Sequence, residues 1–354
     1  SLTINITVYV SYFRTIITIL VADLINCKNK PLDSCIFGVE NVMLVLFSSN
    51  ITNGQVVKAN EICSYIDLSK PVIFLTHGFL ASAKTYNFSV LASRLVENGY
   101  TVISMDWADA SCYNDFCLSD INIFFLNLGN LNLLEYPFAT KNTRKVGDYL
   151  ASYVKSVIKC GVKLENITLM GHSLGAHISG FAAKNIDDTT DYGKPPLLIG
   201  TDPAAPLFEG LPCECRFCDK DAKRVIAFHT SFLGIQRTIA HCDFWFNNGL
   251  DQPACNVWSI PGTGAANVNC SHNIAIDYAA NTLLKNCTYA AVRIGKDINP
   301  LPNFKLKCSP KGTECIAVDD KIFDPKSTTL GNYCVNASSE YPYCTYNSNC
   351  TRQE

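Results

Sequence analysis

The feature that most constrains the fold is the pentapeptide Gly171-His172-Ser173-Leu174-Gly175. An apolar run at residues 167–170 precedes it, and a stretch with helical spacing at 174–184 follows it. A serine between two glycines in this context is typical of a nucleophile elbow, a sharp strand-to-helix turn that exposes the hydroxyl. The five-residue pattern alone is weak evidence, and an ordinary glycine-rich turn is the alternative, but the predicted strand and helix favour the elbow.

Short apolar runs alternate with helical stretches through most of the chain. Such continuous apolar strands, separated by helices, predict an α/β fold with a mostly parallel central sheet and helices on both faces. We expect this domain over residues 27–300, and a Cys-rich C-terminal extension with little periodicity over 301–354. The other predicted strands are 42–47, 71–76, 101–105, 197–200 and 225–228, and the other predicted helices are 86–97, 142–159 and 274–284.

Composition narrows the class of protein. The 354 residues carry a net charge of −2, and 48% of them are hydrophobic. The chain is therefore too apolar to be disordered. It also lacks the strong positive charge of a general nucleic-acid binder, so we expect no nucleic-acid partner.

The cysteine count indicates an oxidising compartment. A chain of this length can fold without disulfides, yet it has 18 cysteines. Eight Asn-X-Ser/Thr sequons agree with a secreted glycoprotein, although Asn166 leads into an apolar run and is expected to be buried. The run at residues 16–22 predicts a signal peptide or N-terminal extension over 1–26, and a first β-strand is the alternative.

A serine nucleophile needs a base and an orienting acid, which follow in the order Ser, Asp, His in this type of fold. Asp202 comes directly after the next predicted strand, where the acid should lie. Three histidines follow it. His229 and His241 are plausible structural residues, whereas His272 is predicted to lie in a loop before a helix, as a catalytic base should.

The developing oxyanion requires two backbone N–H donors. Leu174, directly after the serine, should supply one, and Phe79, in the loop after an early strand, should supply the other. We interpret His77, His172 and His177 as structural supports of these loops.

Taken together, these residues resemble the pancreatic-lipase family, and within it the arthropod phospholipase A1 branch typified by hymenopteran venom enzymes. The resemblance implies an α/β-hydrolase fold over about residues 35–300. It implies Ser173, Asp202 and His272 as the triad and Phe79 and Leu174 as the oxyanion hole. The matching segments are His77-Gly78-Phe79, Asp106-Trp107 to Cys112, Gly171 to His177, Asp202-Pro203-Ala204, Asp243-Phe244, Asn248-Gly249, Gln252-Pro253 and Cys270-Ser271-His272.

The chain departs from the family pattern in places. Ile274 stands where the family often has an arginine, and Cys27, Cys117 and Cys242 have no partner that the resemblance assigns. The 82 residues after His272 cannot hold the lipid-binding β-sandwich of true pancreatic lipases, so we expect no colipase, and we expect a monomer.

The resemblance also implies a short lid between Cys255 and Cys270, which are expected to be bonded to each other. Val257, Trp258 and Ile260 give this segment an apolar face that could contact lipid, and packing against the domain is the alternative. A second short loop is expected between His229 and Asp243. Short versions of both loops resemble phospholipases A1.

The expected function is that of a secreted phospholipase A1, which hydrolyses the sn-1 ester of phospholipid in a membrane or micelle through an acyl-enzyme. We expect no cofactor and no metal. The cluster of Cys213, Cys215 and Cys218 is interpreted as disulfide-forming instead. A secreted triacylglycerol lipase and a non-catalytic lipid-binding or yolk-type relative are the alternatives.

Overall fold

The computed structural model describes residues 41–111, 136–258, 265–295, 315–345 and 350. For Tyr86 and for residues 256–258 and 265–267 it describes the backbone alone. The predicted N-terminal segment 1–26, the cysteines Cys27 and Cys117, Ile260, and the side chains of Val257 and Trp258 lie outside the described residues.

One sheet runs through the described part of the chain, with helices packed on it. Its strands are β1 (Met43–Ser48), β2 (Ile51–Val57), β3 (Val72–Thr76), β4 (Thr101–Asp106), β5 (Ile167–His172), β6 (Leu197–Thr201), β7 (Arg224–His229), β8 (Cys242–Phe246), β9 (Tyr289–Ile294), β10 (Cys315–Val318) and β11 (Gly331–Val335). The α-helices are α1 (Tyr86–Glu97), α2 (Tyr136–Lys159), α3 (Leu174–Thr189) and α4 (Ala265–Leu283).

The centre of the sheet is parallel, as the apolar runs predict. The described strands lie in the order β10-β9-β11-β8-β7-β6-β5-β3-β4-β1-β2. The six neighbouring strands β4, β3, β5, β6, β7 and β8 are parallel to one another, and β11 is parallel to β8. The antiparallel pairs are at the two ends, where β1 pairs with β2 and β4, and β9 pairs with β10 and β11.

Two apolar cores lie on opposite faces of the sheet, because neighbouring side chains of a strand point in opposite directions. In β3, Val72 and Phe74 pack into one core with α2 and α3, whereas Ile73 and Leu75 pack into the other with α1 and α4. Burial on both faces explains why these strands read as continuous apolar runs.

The approach of α2 to α3 depends on one small residue. A Cβ at Gly147 in α2 would lie 2.6 Å from the Cβ of Phe181 in α3, so no larger residue fits there without a shift. This contact sets the position of α3 relative to α2. It matters for the site because Ser173 is the N-cap of α3.

The C-terminal segment is part of the same sheet, since β11 lies between β8 and β9. The buried guanidinium of Arg224 in β7 donates to the carbonyl oxygens of Ile322 and Thr329 at 2.9 and 2.6 Å. The Cys287–Cys344 and Cys315–Cys350 disulfides tie the same segment down. The boundary drawn at residue 300 stays a prediction.

Four of the described cysteines form two further disulfides, Cys63–Cys160 and Cys213–Cys218, and Cys242 is a free, buried thiol. Asn166 is exposed, so the expectation that it is buried was wrong. It precedes β5 in a 3₁₀ turn that lies at the surface.

Among the described helices, none has the length and apolarity needed to span a membrane.

Candidate active site

The carboxyl ends of neighbouring parallel strands bring the candidate residues together. Ser173 follows β5, Asp202 follows β6, and the loop 77–79 follows β3, with β5 paired to both β3 and β6. In open α/β sheets this edge is where ligands bind.

Ser173 occupies a strained turn that only its neighbours make possible. Its φ and ψ are 57° and −122°, in a region that non-glycine residues rarely adopt. A Cβ at Gly171 would overlap the carbonyl oxygen of Gly175, and one at Gly175 would overlap that of Thr76. The strand, turn and helix expected at this motif are therefore present, and both glycines are sterically required.

Asp202 is fully buried and surrounded by donors. Its Oδ2 accepts a hydrogen bond of 2.6 Å from Nδ1 of His272. Its Oδ1 accepts from the backbone N–H groups of Thr230 and Ser231 at 2.8 and 3.3 Å. Like Ser173, Asp202 has a left-handed backbone, with φ of 47°.

Of the three histidines left open by the sequence, His272 is the one that reaches Asp202. His229 pairs instead with Asp243, with 2.9 Å between Nε2 and Oδ1, and stacks on Trp245. Nδ1 of His241 accepts from the backbone N–H of Val225 at 3.0 Å.

The expected loop position of His272 was wrong, because it lies inside α4. Two contacts hold this part of the helix in place. Cys270 is bonded to Cys255, and the hydroxyl of Ser271 accepts from the backbone N–H of Gln252 at 3.0 Å. The disulfide is the one that the family resemblance implies, whereas the contact between Ser271 and Gln252 is tertiary and has no sign in the sequence pattern.

The loop after β3 lies directly against Ser173. A Cβ at Gly78 would be 2.8 Å from the Cβ of Ser173 and 3.4 Å from its Oγ. His77 holds the loop, since its Nδ1–H donates to the Gly78 carbonyl at 2.9 Å and its Nε2 accepts from the N–H of Trp107 at 3.0 Å. This geometry agrees with a structural role for His77 and puts the backbone before Phe79 beside the hydroxyl.

A cavity of about 500 Å³ opens at Ser173 and His272. None of the described residues that line it is Asp, Glu, Lys or Arg. The apolar part of the lining includes Phe79, Leu80, Phe88, Tyr136, Phe232, Leu233 and Ile276, and the polar part includes Thr85, Asn87, Asn269 and Asn273. The cavity therefore suits an uncharged, largely apolar chain that also carries hydrogen-bonding groups.

Two further histidines flank the serine in sequence and are kept neutral. Burial, and then the charge of His272, hold the pKa of His172 well below its usual range. Burial lowers the pKa of His177 to about 3. The Nε2–H of His177 donates to the Ala204 carbonyl at 2.9 Å, and its Nδ1 accepts from the N–H of Phe217 at 3.1 Å. Their contacts agree with roles as supports.

The segment expected to be a lid is closed by the Cys255–Cys270 disulfide. Part of it is helical, because α4 begins at Ala265. The lipid contact assigned to Val257, Trp258 and Ile260 stays a prediction. Cys213 and Cys218 lie with Asp219 in a group of metal-ligand type, but the two thiols are bonded to each other, as the disulfide interpretation expects.

Three further residues support the site, and of these only Gln252 was singled out in the sequence, as part of the matching segment Gln252-Pro253. Ser231 donates through its hydroxyl to Asp202 Oδ2. A Cβ at Gly234 would overlap the carboxylate of Asp202. The buried amide of Gln252 donates to the Thr230 carbonyl at 2.8 Å, while the backbone N–H of the same residue donates to Ser271. For Ser231, the one sign in the sequence of a role at the site was that it follows the end of β7 closely.

Comparison with known proteins agrees with this geometry. The profile of the lipase family matches residues 37–343. A phospholipase A1 from Dinoponera quadriceps is 36% identical over 328 residues, which cover 92% of this chain and 80% of the relative. A phospholipase A1 from Vespa crabro is 39% identical over 288 residues, which cover 80% of this chain and 86% of the relative. A third, from Solenopsis invicta, is 31% identical and covers 91% of this chain and 89% of its own.

The family match and these identities confirm the resemblance seen in the motifs. The residues matched by the family profile extend over most of the chain and include the described strands and the elbow at Ser173. The chain belongs to the lipase family and is a carboxylic-ester hydrolase with an α/β-hydrolase fold.

Proposed function

We propose that the protein is a phospholipase A1 that hydrolyses the sn-1 ester of phospholipids through Ser173, His272 and Asp202. The observation that carries the proposal is the meeting of the elbow serine and the His272–Asp202 pair at one uncharged cavity. The similar proteins from Dinoponera quadriceps and Vespa crabro, which are named phospholipase A1, support the choice of substrate.

In the proposed mechanism Ser173 attacks the ester carbonyl while His272 takes its proton. Nδ1 of His272 is engaged by Asp202, which leaves Nε2 as the basic nitrogen for this transfer. His272 then returns the proton to the leaving alcohol. A water molecule, deprotonated by the same imidazole, hydrolyses the acyl-enzyme and regenerates Ser173.

The backbone N–H groups of Phe79 and Leu174 are proposed to stabilise the oxyanion. Leu174 is the first residue of α3, where the first N–H groups of a helix have no carbonyl partner within it. Gly78 brings the loop before Phe79 into contact with Ser173. By analogy with measured oxyanion donors, each contributes about 3 kcal/mol to transition-state stabilisation.

A phospholipid suits the proposed site better than a triacylglycerol does. The segment between β7 and β8 is only 12 residues long, from Thr230 to His241, and so short a segment is proposed to leave room for a head group. The amides of Asn87, Asn269 and Asn273 line the cavity and offer neutral hydrogen-bonding groups. Phe232 lines the same cavity, is 51% exposed, and is proposed to contact the lipid surface.

We further propose that the protein acts outside the cell, as a monomer and without colipase. Five disulfides among the described residues support an oxidising compartment. The proposed chemistry needs no metal or cofactor, because its proton transfers and charge stabilisation come from protein groups.

The test is hydrolysis of a phosphatidylcholine with different acyl chains at sn-1 and sn-2. We expect release of the sn-1 chain, with no release by Ser173→Ala, and faster hydrolysis of phosphatidylcholine than of triolein. Release of the sn-2 chain would contradict the proposal. A preference for triolein would favour a triacylglycerol lipase, and lipid binding without turnover would favour a non-catalytic relative.

A further inference from the structure

The hydroxyl of Ser231 contacts both the acid and the base of the proposed triad. Its Oγ donates to Oδ2 of Asp202, the same oxygen that accepts from His272 Nδ1 at 2.6 Å. The Oγ also lies 3.4 Å from that Nδ1. Ser231 and Asp202 are fully buried, so water does not replace this contact.

The direction of the Ser231 hydrogen bond is determined by its neighbours. The Oγ already accepts from the backbone N–H of Leu233 at 3.1 Å, and Nδ1 of His272 carries a proton that is given to Asp202. Among the described contacts of this hydroxyl, only the carboxylate of Asp202 can accept its hydrogen. The hydroxyl therefore points at Oδ2.

The turn that carries Ser231 is held in place before any substrate binds. The side-chain amide of Gln236 donates to the carbonyl oxygens of Ser231 and Gly234 at 2.8 and 3.0 Å. The absence of a side chain at Gly234 lets the turn close over the Asp202 carboxylate. The donor is thus preorganised, in a buried site where hydrogen bonds to a charge are strong.

We propose that Ser231 is a positioning residue of the triad, which holds Asp202 Oδ2 in line with His272 Nδ1 and sets the pH at which His272 can act as a base. This inference rests on the proposed function. A donor to the carboxylate withdraws part of its negative charge from the imidazole. Without that donor the carboxylate stabilises the protonated form of His272 more strongly.

Other groups near His272 do not change when Ser231 is replaced. His172, at the end of β5, is neutral, because burial lowers its pKa. On α4, Asp277 lies 3.9 Å from Arg94 of α1 as an ion pair. His229 and Asp243, from β7 and β8, are paired with each other. A shift of the pH profile on substitution of Ser231 therefore reports on the Asp202–His272 pair.

The test compares Ser231→Ala with wild type in kcat, KM and pH profile on a soluble short-chain ester. We expect kcat to fall about 10-fold or more with little change in KM, the order expected when one hydrogen bond to a charged group is lost. The acidic limb should move to higher pH. Ser231→Thr, which keeps the hydroxyl, should retain the wild-type limb.

Two controls keep the result interpretable. Ser104→Ala removes a buried hydroxyl that makes no hydrogen bond to any described residue, and it should change neither kcat nor the pH profile. If Ser231→Ala does not fold, Ser231→Cys retains the volume with a much weaker donor and gives the same readout.

An unchanged acidic limb in Ser231→Ala, or an equal loss in Ser231→Thr, would overturn the positioning role. Ser173→Ala is measured beside these variants. If Ser173→Ala remains active, the proposed function itself fails. If it is inactive while Ser231→Ala behaves as wild type, only the inference about Ser231 fails.

Discussion

The imidazole rings of His172 and His272 lie 4.5 Å apart, centre to centre, at the wall of the cavity. The Nδ1–H of His172 donates to the Thr201 carbonyl at 2.8 Å, and burial keeps the pKa of His172 well below its usual range. His172 is therefore neutral when a proton arrives on His272. Of the two adjacent rings, only that of His272 contacts a carboxylate among the described residues, so the proposed mechanism places the transferred proton there.

The first prediction concerns the hydroxyl of Ser173. Ser173→Ala should lower ester turnover by about 10⁴-fold or more, because triad members act as a unit. Thermal unfolding should change little, since the substitution removes a single oxygen. Turnover on a soluble ester and the melting temperature are the measurements. A variant that kept a tenth of the activity would contradict the mechanism.

The second prediction separates the histidines. His272→Gln should match Ser173→Ala in severity, because His272 is bonded to Asp202. His241→Gln should keep most activity, since its ring contacts the backbone of Val225 away from the triad. The measurement is kcat on the same ester. Loss at His241 with activity retained at His272 would reverse the assignment.

The third prediction concerns Gly234, where a side chain would collide with the Asp202 carboxylate. Gly234→Ala should lower kcat about 10-fold or more by moving Asp202 from His272, as expected when a small misplacement affects catalytic groups. The matched control is Gly295→Ala, where a Cβ would have no atom of the described residues within 4 Å. Equal activity in both variants would show that the turn can adapt.

The fourth prediction concerns stability in acid. The unfolded chain protonates His177 below its ordinary pKa of 6.5, whereas burial lowers the pKa of His177 to about 3 in the folded state. The unfolded state therefore binds more protons in this interval, and stability is lost as the pH falls from about 6.5 towards 3. The slope is at most about 1.4 kcal/mol per pH unit for each such histidine.

Asp221 acts in the opposite direction. Burial raises its pKa from 3.8 to about 6, so between these values the folded state binds the proton first and gains stability as the pH falls. His177→Gln should flatten the loss of stability between pH 6 and pH 4, as measured by denaturant unfolding at several pH values. Ser104→Ala, which removes no titratable group, is the control. A slope equal to that of wild type would contradict the role of His177.

The fifth prediction concerns contact with lipid. Phe232→Ala should weaken binding to phosphatidylcholine liposomes more than it slows hydrolysis of a soluble ester, because Phe232 is 51% exposed beside the cavity. Leu330→Ala is the matched control, since Leu330 is 50% exposed and is not among the cavity residues. Liposome sedimentation gives the binding. Equal effects of the two substitutions would mean that Phe232 is not an interfacial contact.

The sequence alone determined most of the central strands and the elbow, whereas β8 was not among the predicted strands. The run before Ser173 is apolar because β5 is buried on both faces, and the glycines around the serine are required by backbone contacts within a few residues or with the next strand. Such signals are strong because they are local or depend only on burial. The same holds for Asp202, which follows a buried strand directly.

The strands towards the two ends of the sheet were harder to predict. In β2 most side chains are exposed or half-buried, and β9 to β11 belong to a disulfide-linked segment. Their pairing is decided by partners far along the chain, such as β8 for β11. Neither periodicity nor composition identifies such a partner.

The tertiary structure alone decided how the proposed triad is held. His272 is 70 residues from Asp202, and the sequence left it in a loop, whereas the fold places it in a helix in which the neighbouring Ser271 contacts the backbone of Gln252. Ser231 and Gly234 reach the site through contacts that carry no sequence motif. A motif records what a residue needs from its neighbours in the chain, but the orientation of a buried carboxylate depends on donors that only the folded protein brings together.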